Sequence, residues 1–234
     1  EMTLGIKNVL VGSQAGDALT HADFNVAVGM AALSGDTLGS KSVAVGTFSL
    51  LAQNFTTATD SFNTAVGHSA GLSVTTGVKN TLIGGLAGDA ITDADFNTAV
   101  GYLALSTNTL GSRNTAIGTV ALNEMNPTTA TDTYNTAVGY EAGHVVTTGL
   151  RNTIVGSIAG DALTDADDNT VFGYNALTSD TLGSKTVAIG RSVLSSQNFT
   201  TATDSYNTAV GYNAGGQITT GLENTLIGGL AGDA

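Results

Sequence analysis

The glycine of an N-T-A-V-G motif returns thirteen times along this chain, beginning Gly12, Gly29, Gly46, Gly67 and ending at Gly228. The intervals are 17 residues except for three of 21, and every fourth unit closes a longer period of 72, so Gly12, Gly84, Gly156 and Gly228 are equivalent. A fixed period of this length marks a stacked repeat, in which each unit buries its apolar face only against its neighbours. The copies are close: Asn80 to Ala90 and Asn224 to Ala234 carry the same eleven residues. Residues 1–234 therefore read as one continuous repeat segment, opening and closing in mid-repeat, as expected of a piece of a longer fibre.

Position turns the 31 glycines from a sign of disorder into a sign of turns. Most recur at fixed places in the coil, where the backbone needs φ > 0 or a close approach. Threonine, valine and isoleucine dominate the segment before each motif glycine, and no 3.6-residue apolar period survives over a dozen residues. The fold class expected is all-β: a parallel β-solenoid, or β-roll, of about thirteen coils with a 17/17/17/21-residue period. With no cysteine, neither disulfides nor thiolate chemistry contributes, and rigidity rests on stacking. A net charge of −12 argues against nucleic acid and anionic lipid surfaces as partners. No apolar run reaches eighteen residues, so no membrane insertion is expected in this segment.

The two residues before each motif glycine bear on assembly. The immediately preceding one is large and apolar (Val28, Val66, Ile83, Val100, Phe172 and equivalents), and the one before it is never polar (Ala27, Ala65, Leu82, Ala99, Ile154 and equivalents). Adjacent strand residues point to opposite faces, so both faces are expected to be buried, one in the coil and one against another chain. The small column at Ala27, Ala65 and Ala99 suits close approach near an axis, which predicts a parallel homotrimer, intertwined or packed side by side. The alternative is that small alanines simply tolerate solvent.

A second column, just before the repeat Asn, alternates basic and aromatic residues: Lys41, Phe62, Lys79, Phe96, Arg113, Tyr134, with Asp168 and Glu223 as departures. Stacked strands lie about 4.8 Å apart, within the ~6 Å reach of a cation–π contact, so the column is expected to stitch coil to coil; a ligand-binding stripe is the rival reading. The Asn itself (Asn8, Asn25, Asn63, Asn80, Asn97 and equivalents, replaced by Ser42 and Thr186) is expected to form a hydrogen-bonded ladder.

Other patterns were weighed as sites. D-A-D-F-N (Asp93, Asp95, Asn97; again Asp165, Asp167, Asn169) resembles the start of a calcium loop, but lacks its glycine and distal glutamate, has His21 for the first Asp in one copy, and is explained by an Asx turn. Tyr102, Tyr140, Tyr174 and Tyr212 alternate with small residues; exposed, they suit stacking on sugar rings, and otherwise they pack as knobs over their neighbours. His21, His68 and His144 hold non-equivalent places and form no metal column. No Ser-His-Asp set, carboxylate cleft, P-loop or dinucleotide fingerprint emerges; catalytic, cofactor-binding and metal residues are all expected to be none. The four-residue insertions, Gln53 to Asp60, Met125 to Asp132 and Gln197 to Asp204, are expected to bulge outward as loops, either adhesive or inert.

The unit N-T-A-V-G-Y-x-A (Asn97 to Ala104, Asn135 to Ala142, Asn207 to Ala214) resembles the head repeat of YadA-type trimeric autotransporter adhesins, and similar repeats of phage tail fibres. The resemblance covers nearly the whole chain and implies a trimeric left-handed parallel β-roll with an adhesive surface; the adhesin unit is shorter, near fourteen residues, so its outer turns do not carry over. The function expected is a non-enzymatic, extracellular fibre segment, foremost the shaft of a phage tail fibre or receptor-binding fibre. The alternative is a bacterial surface adhesin or extracellular filament, with a cell-surface glycan or receptor as possible partner. An ice-binding solenoid, suggested by the column Thr64, Thr98 and Thr136, ranks third.

Overall fold

The computed structural model describes residues 5–233; Glu1 and Ala234, the ends of the mid-repeat segment, lie outside them. The fold is an all-β parallel solenoid of about thirteen turns with a period near 17 residues, and no helix among the described residues. Each coil contributes one three-residue strand ending just before its motif glycine. The chain divides into two compact units, one running to Asn114 and including Asn126–Asp132, the other comprising Thr115–Met125 and the chain from Thr133 onward.

The first unit holds β1 (Val9–Val11), β2 (Val26–Val28), β3 (Gly39–Ser40), β4 (Val43–Val45), β5 (Thr59–Asp60) and β6 (Thr64–Val66). It continues with β7 (Thr81–Ile83), β8 (Thr98–Val100) and β9 (Gly111–Ser112), and it includes β11 (Thr131–Asp132). The second holds β10 (Thr115–Ile117), β12 (Thr136–Val138), β13 (Thr153–Val155), β14 (Thr170–Phe172) and β15 (Gly183–Ser184). It closes with β16 (Val187–Ile189), β17 (Thr203–Asp204), β18 (Thr208–Val210) and β19 (Thr225–Ile227). Within each unit the coil strands pair in parallel with no slip, so each residue lies opposite its equivalent one coil on, as Ala27 opposite Ala44 and Val138 opposite Val155. The two-residue strands pair as β3–β5, β9–β11 and β15–β17, where the 21-residue coils widen.

The motif glycine is required twice over. Its φ lies between 127° and 142° in every coil, a region L-residues rarely enter. A Cβ on Gly46 would also lie 2.3 Å from the carbonyl oxygen of Gly67 in the next coil. The rest of the coil departs from the expectation that glycine supplies every positive φ. The basic–aromatic column sits at φ near 50–65° throughout, Lys79 at 58° and Phe96 at 57° among them, and so do Leu103 and Leu105. Each such residue is disfavoured by about 1–2 kcal/mol in isolation; neighbouring coils hold many of them through the N–H, as Phe96 donates to the Val78 carbonyl at 3.1 Å and Leu103 to the Gly85 carbonyl at 3.2 Å.

The middle residue of each coil strand points inward. Ala27, Ala44, Ala65 and Ala99, and in the second unit Ala137, Ala188 and Ala209, are fully buried within their own chain. This corrects the assignment of the alanine column to a partner chain: these side chains line the coil interior. Leucines such as Leu33, Leu50 and Leu105 fill the same interior from the turn in coils whose strand carries alanine, and Leu177 does so beside Val171. Where the strand carries leucine, the turn gives way: beside Leu82, positions 71 and 88 are glycine, and a Cβ at either would approach a Leu82 methyl to 2.7 Å. Conformation is not what demands glycine there, since Leu105 takes the φ of 55° that Gly88 takes at 56°. Volume does.

Candidate functional surface

Three faces of the coil carry the residues singled out by sequence. The first is the outward side of the coil strands. Its two columns are Thr or Val at the first strand position and Val, Ile or Phe at the third, and it bears no charge. The third-position residues are half-buried to exposed in the single chain: Val66, Val100 and Val138 are half-buried, Ile83 and Ile117 are 39% exposed and Phe172 55%. Both apolar columns foreseen by sequence exist, but the one without a partner is the valine–isoleucine column. The threonines Thr64, Thr81 and Thr98 share this outward face, half-buried.

The second face is the basic–aromatic column, which forms the expected cation–π contacts at several steps but not as one unbroken file, since Lys79 meets Phe96 and not Phe62. Lys7 lies 4.6 Å from the Phe24 ring centre, Lys41 5.0 Å from Phe62, Lys79 4.9 Å from Phe96 and Lys185 5.2 Å from Tyr206. Phe96 also meets the guanidinium of Arg113 at 4.8 Å. The widened coils add a carboxylate from the paired Thr-Asp strands: Lys41 meets Asp60 at 2.6 Å, Arg113 meets Asp132 at 2.8 Å and Lys185 meets Asp204 at 2.5 Å. Asp168, a departure from the aromatic pattern, replaces the ring with a charge; Arg151 forks onto it with Nε at 2.6 Å and Nη2 at 3.0 Å. That hydrogen bond holds the Asp168 carboxyl below the usual aspartate range. The cations are thus engaged along the stack, which is the stitching role rather than a ligand stripe.

The third face is the column following the motif glycine. Tyr102, Tyr140, Tyr174 and Tyr212 are each more than half exposed. They do not pack down as knobs. His68, at the equivalent place, meets Phe48 edge-on, with 6.1 Å between ring centres.

The remaining sequence candidates are structural. The asparagine ladder is largely buried and is interrupted once in each unit, at Ser42 and Thr186; elsewhere it repeats: the Asn63 side chain donates to the Gly77 carbonyl at 2.7 Å and accepts the Asn80 N–H at 2.9 Å, and Asn80 repeats both bonds with Ala94 and Asn97. The aspartates of D-x-D-x-N cap the preceding coil. Asp93 accepts the Thr76 hydroxyl, Asp95 the Val78 N–H at 2.7 Å and Asp167 the Leu150 N–H at 2.7 Å, while Asn97 and Asn169 lie buried in the ladder. The motif therefore does not converge on one point. Among the described residues no group of three or more His, Asp or Glu is placed to hold a metal ion, and no pocket opens. No described helix is long and apolar enough to cross a membrane. The first threonine of the T-T pairs is also committed, as Thr75 donates to the Thr92 carbonyl at 3.1 Å.

The insertions are anchored at their base and exposed at their tip. Gln53 and Phe55 are buried, whereas Thr56, Thr57 and Ala58 face solvent, and Gln197 and Phe199 repeat the arrangement. The anchor is a buried polar cluster that sequence reading missed. Gln53 donates to the Asp36 carboxylate at 2.6 Å and to the Ser42 hydroxyl at 2.8 Å, and accepts from Asn63 at 2.9 Å; Asp36 also takes the N–H of Gly39 at 3.0 Å and of Phe55 at 3.1 Å. Asp180, Gln197, Thr186 and Asn207 reproduce it. A signal was present: Ser42 and Thr186, the two gaps in the asparagine column, accompany Gln53 and Gln197, whereas Asn114 accompanies Met125 and Asn108.

No protein-family model matches the chain, and neither the curated proteins nor the solved structures contain a match to it.

Proposed function

We propose that this chain is a structural fibre segment that self-associates through its valine–isoleucine face, and that it serves outside the cell as the shaft of a phage tail fibre or receptor-binding fibre. One observation carries the reading: the coil strands present the same charge-free pair of columns, Thr or Val beside Val, Ile or Phe, in register on their outward side. A contiguous apolar surface of this kind marks a contact with another body, and removing it from water contributes about 25 cal/mol per Å². Three copies around an axis, each offering this face, make the parallel trimer; the alanine column has no part in the contact. A bacterial surface adhesin built on the same contact is the alternative, with the exposed insertion tips or tyrosines meeting a cell-surface glycan. The outward threonine column favours ice binding as a further reading, and thermal hysteresis measured on the same samples addresses it.

Light scattering tests the assembly. The expected mass is three times 23.3 kDa, and replacing Val66 and Val100 with Glu should return the protein to single chains with the solenoid intact by circular dichroism. A wild-type mass of one chain removes the proposal.

A further inference from the structure

The tyrosine column contains a slot that this chain itself fills once. In the second unit the residues after successive motif glycines are Tyr140, Ser157, Tyr174, Arg191 and Tyr212. Ladder hydrogen bonds hold them in one file: the carbonyls of Tyr140, Ser157, Tyr174, Arg191 and Tyr212 accept the N–H of Ile158, Asn175, Ser192, Asn213 and Leu230 at 2.8–3.2 Å. Rings therefore alternate with non-aromatic residues, and two rings stand about 10 Å apart across one intervening coil. Between Tyr174 and Tyr212 the guanidinium of Arg191 occupies that gap, 5.8 Å from each ring centre. Between Tyr140 and Tyr174 the intervening residue is Ser157, which is too short to reach either ring plane, and both rings are more than half exposed.

We propose that the Tyr140–Ser157–Tyr174 slot is a docking site for an arginine side chain of a cationic polypeptide partner. The filled slot one step along the file shows which chemical group its dimensions and ring faces accept. Charge complementarity selects the same class, since the chain carries −12 overall and the Glu141 carboxylate beside Tyr140 raises the pKa of its hydroxyl. A guanidinium entering between the rings gains two cation–π contacts and the field of that carboxylate. One such contact is weak, but a partner with several spaced arginines binds a multivalent fibre by avidity.

The test uses the full chain with carbon-13 in its tyrosine rings, titrated with a short Arg-Gly-Arg-Gly-Arg peptide. The Tyr140 and Tyr174 signals should move together and saturate, while Tyr206, already facing Lys185, should stay still. Ser157→Arg should fill the slot from within, abolish the paired shift and weaken peptide binding about threefold or more. Arg191→Ser should open the neighbouring slot and bring Tyr212 into the responding set. Unmoved Tyr140 and Tyr174 signals, or an unchanged response in Ser157→Arg, would overturn the proposal. So would a neutral oligosaccharide that shifts the two rings when the peptide does not. None of these readouts depends on whether the chain is a trimer.

Discussion

At the scale of single residues, the chain shows how repetition makes costly choices tolerable. Phe96, Lys79 and Leu103 hold a left-handed backbone that none of them prefers, because their N–H groups find a carbonyl one coil away. The buried cluster under each insertion obeys the same rule of complete satisfaction. Asp36 collects two backbone N–H groups and the Gln53 amide, and Gln53 in turn serves Ser42 and Asn63, so nothing polar is left over. The middle copy reaches the same end with fewer polar groups: Met125 replaces the glutamine, Asn108 replaces the aspartate and binds Gly111 through both its side-chain atoms, at 2.8 and 2.7 Å. Gln53→Met alone should therefore destabilise the protein by about 2–4 kcal/mol, since it strips partners from the buried Asp36, Ser42 and Asn63. Adding Asp36→Asn and Ser42→Asn, which brings in the middle copy's residues at these three positions, should recover most of the loss in urea denaturation. A triple variant no more stable than the single one would show that the three positions are not coupled.

At the scale of elements, the coil strand and its flanking column were legible in different degrees. The thirteen-fold glycine, the asparagine ladder and the basic–aromatic file are each one residue type at one offset, and a fixed period turns such a column into a stack without further information. Which apolar column faces inward was not legible. Period two places Ala99 and Val100 on opposite faces but, with both apolar, hydrophobicity does not orient them; the deciding fact is the narrow interior that Leu105 fills from the turn. The Asp36–Gln53 bond joins equivalent places in successive coils, 17 residues apart, but the residue type there changes from coil to coil, and only the coincidence of Ser42 with Gln53 hinted at it. The file of ion pairs has a consequence that titration reads. Asp168 is held below its usual range by the hydrogen bond from Arg151, so its contribution to stability is complete above the unfolded value of about 4 and is lost as pH falls through the depressed folded value. Both side chains are more than a third exposed, so the pair contributes no more than about 1 kcal/mol. Asp168→Asn should melt below the wild type at pH 7 and together with it near pH 2.5; a gap that persists unchanged into acid would mean the charge on Asp168 is irrelevant.

At the scale of the whole molecule, stability is a sum over coils and the contacts between neighbouring coils, so what matters at any coil is which kind of coil lies next to it. The glycine contacts recur at every step, and the asparagine and threonine contacts at most of them, so they do little to distinguish neighbours. Core volume does. The coil of Gly71 has its space filled by Leu82 from the next coil, whereas the coil of Leu33 fills its own. Removing residues 77–93 deletes one 17-residue coil in phase, keeps the asparagine ladder in step and brings the coil of Gly71 against that of Ala99 and Leu105. No side chain then occupies the Leu82 volume, and the shortened chain should lose about 2–5 kcal/mol beyond the cost of one coil. A single substitution separates this account from a general cost of shortening. Gly71→Leu in the full chain drives a side chain into Leu82, whose Cδ1 would stand 2.7 Å from the new Cβ, and should destabilise. In the shortened chain the same Gly71→Leu fills the vacated volume at a φ of 59°, close to the 48° that Leu50 already adopts, and should stabilise. Urea midpoints of the four proteins decide it. A substitution effect of the same sign in both backgrounds would mean that something other than neighbour volume fixes the order of the coils.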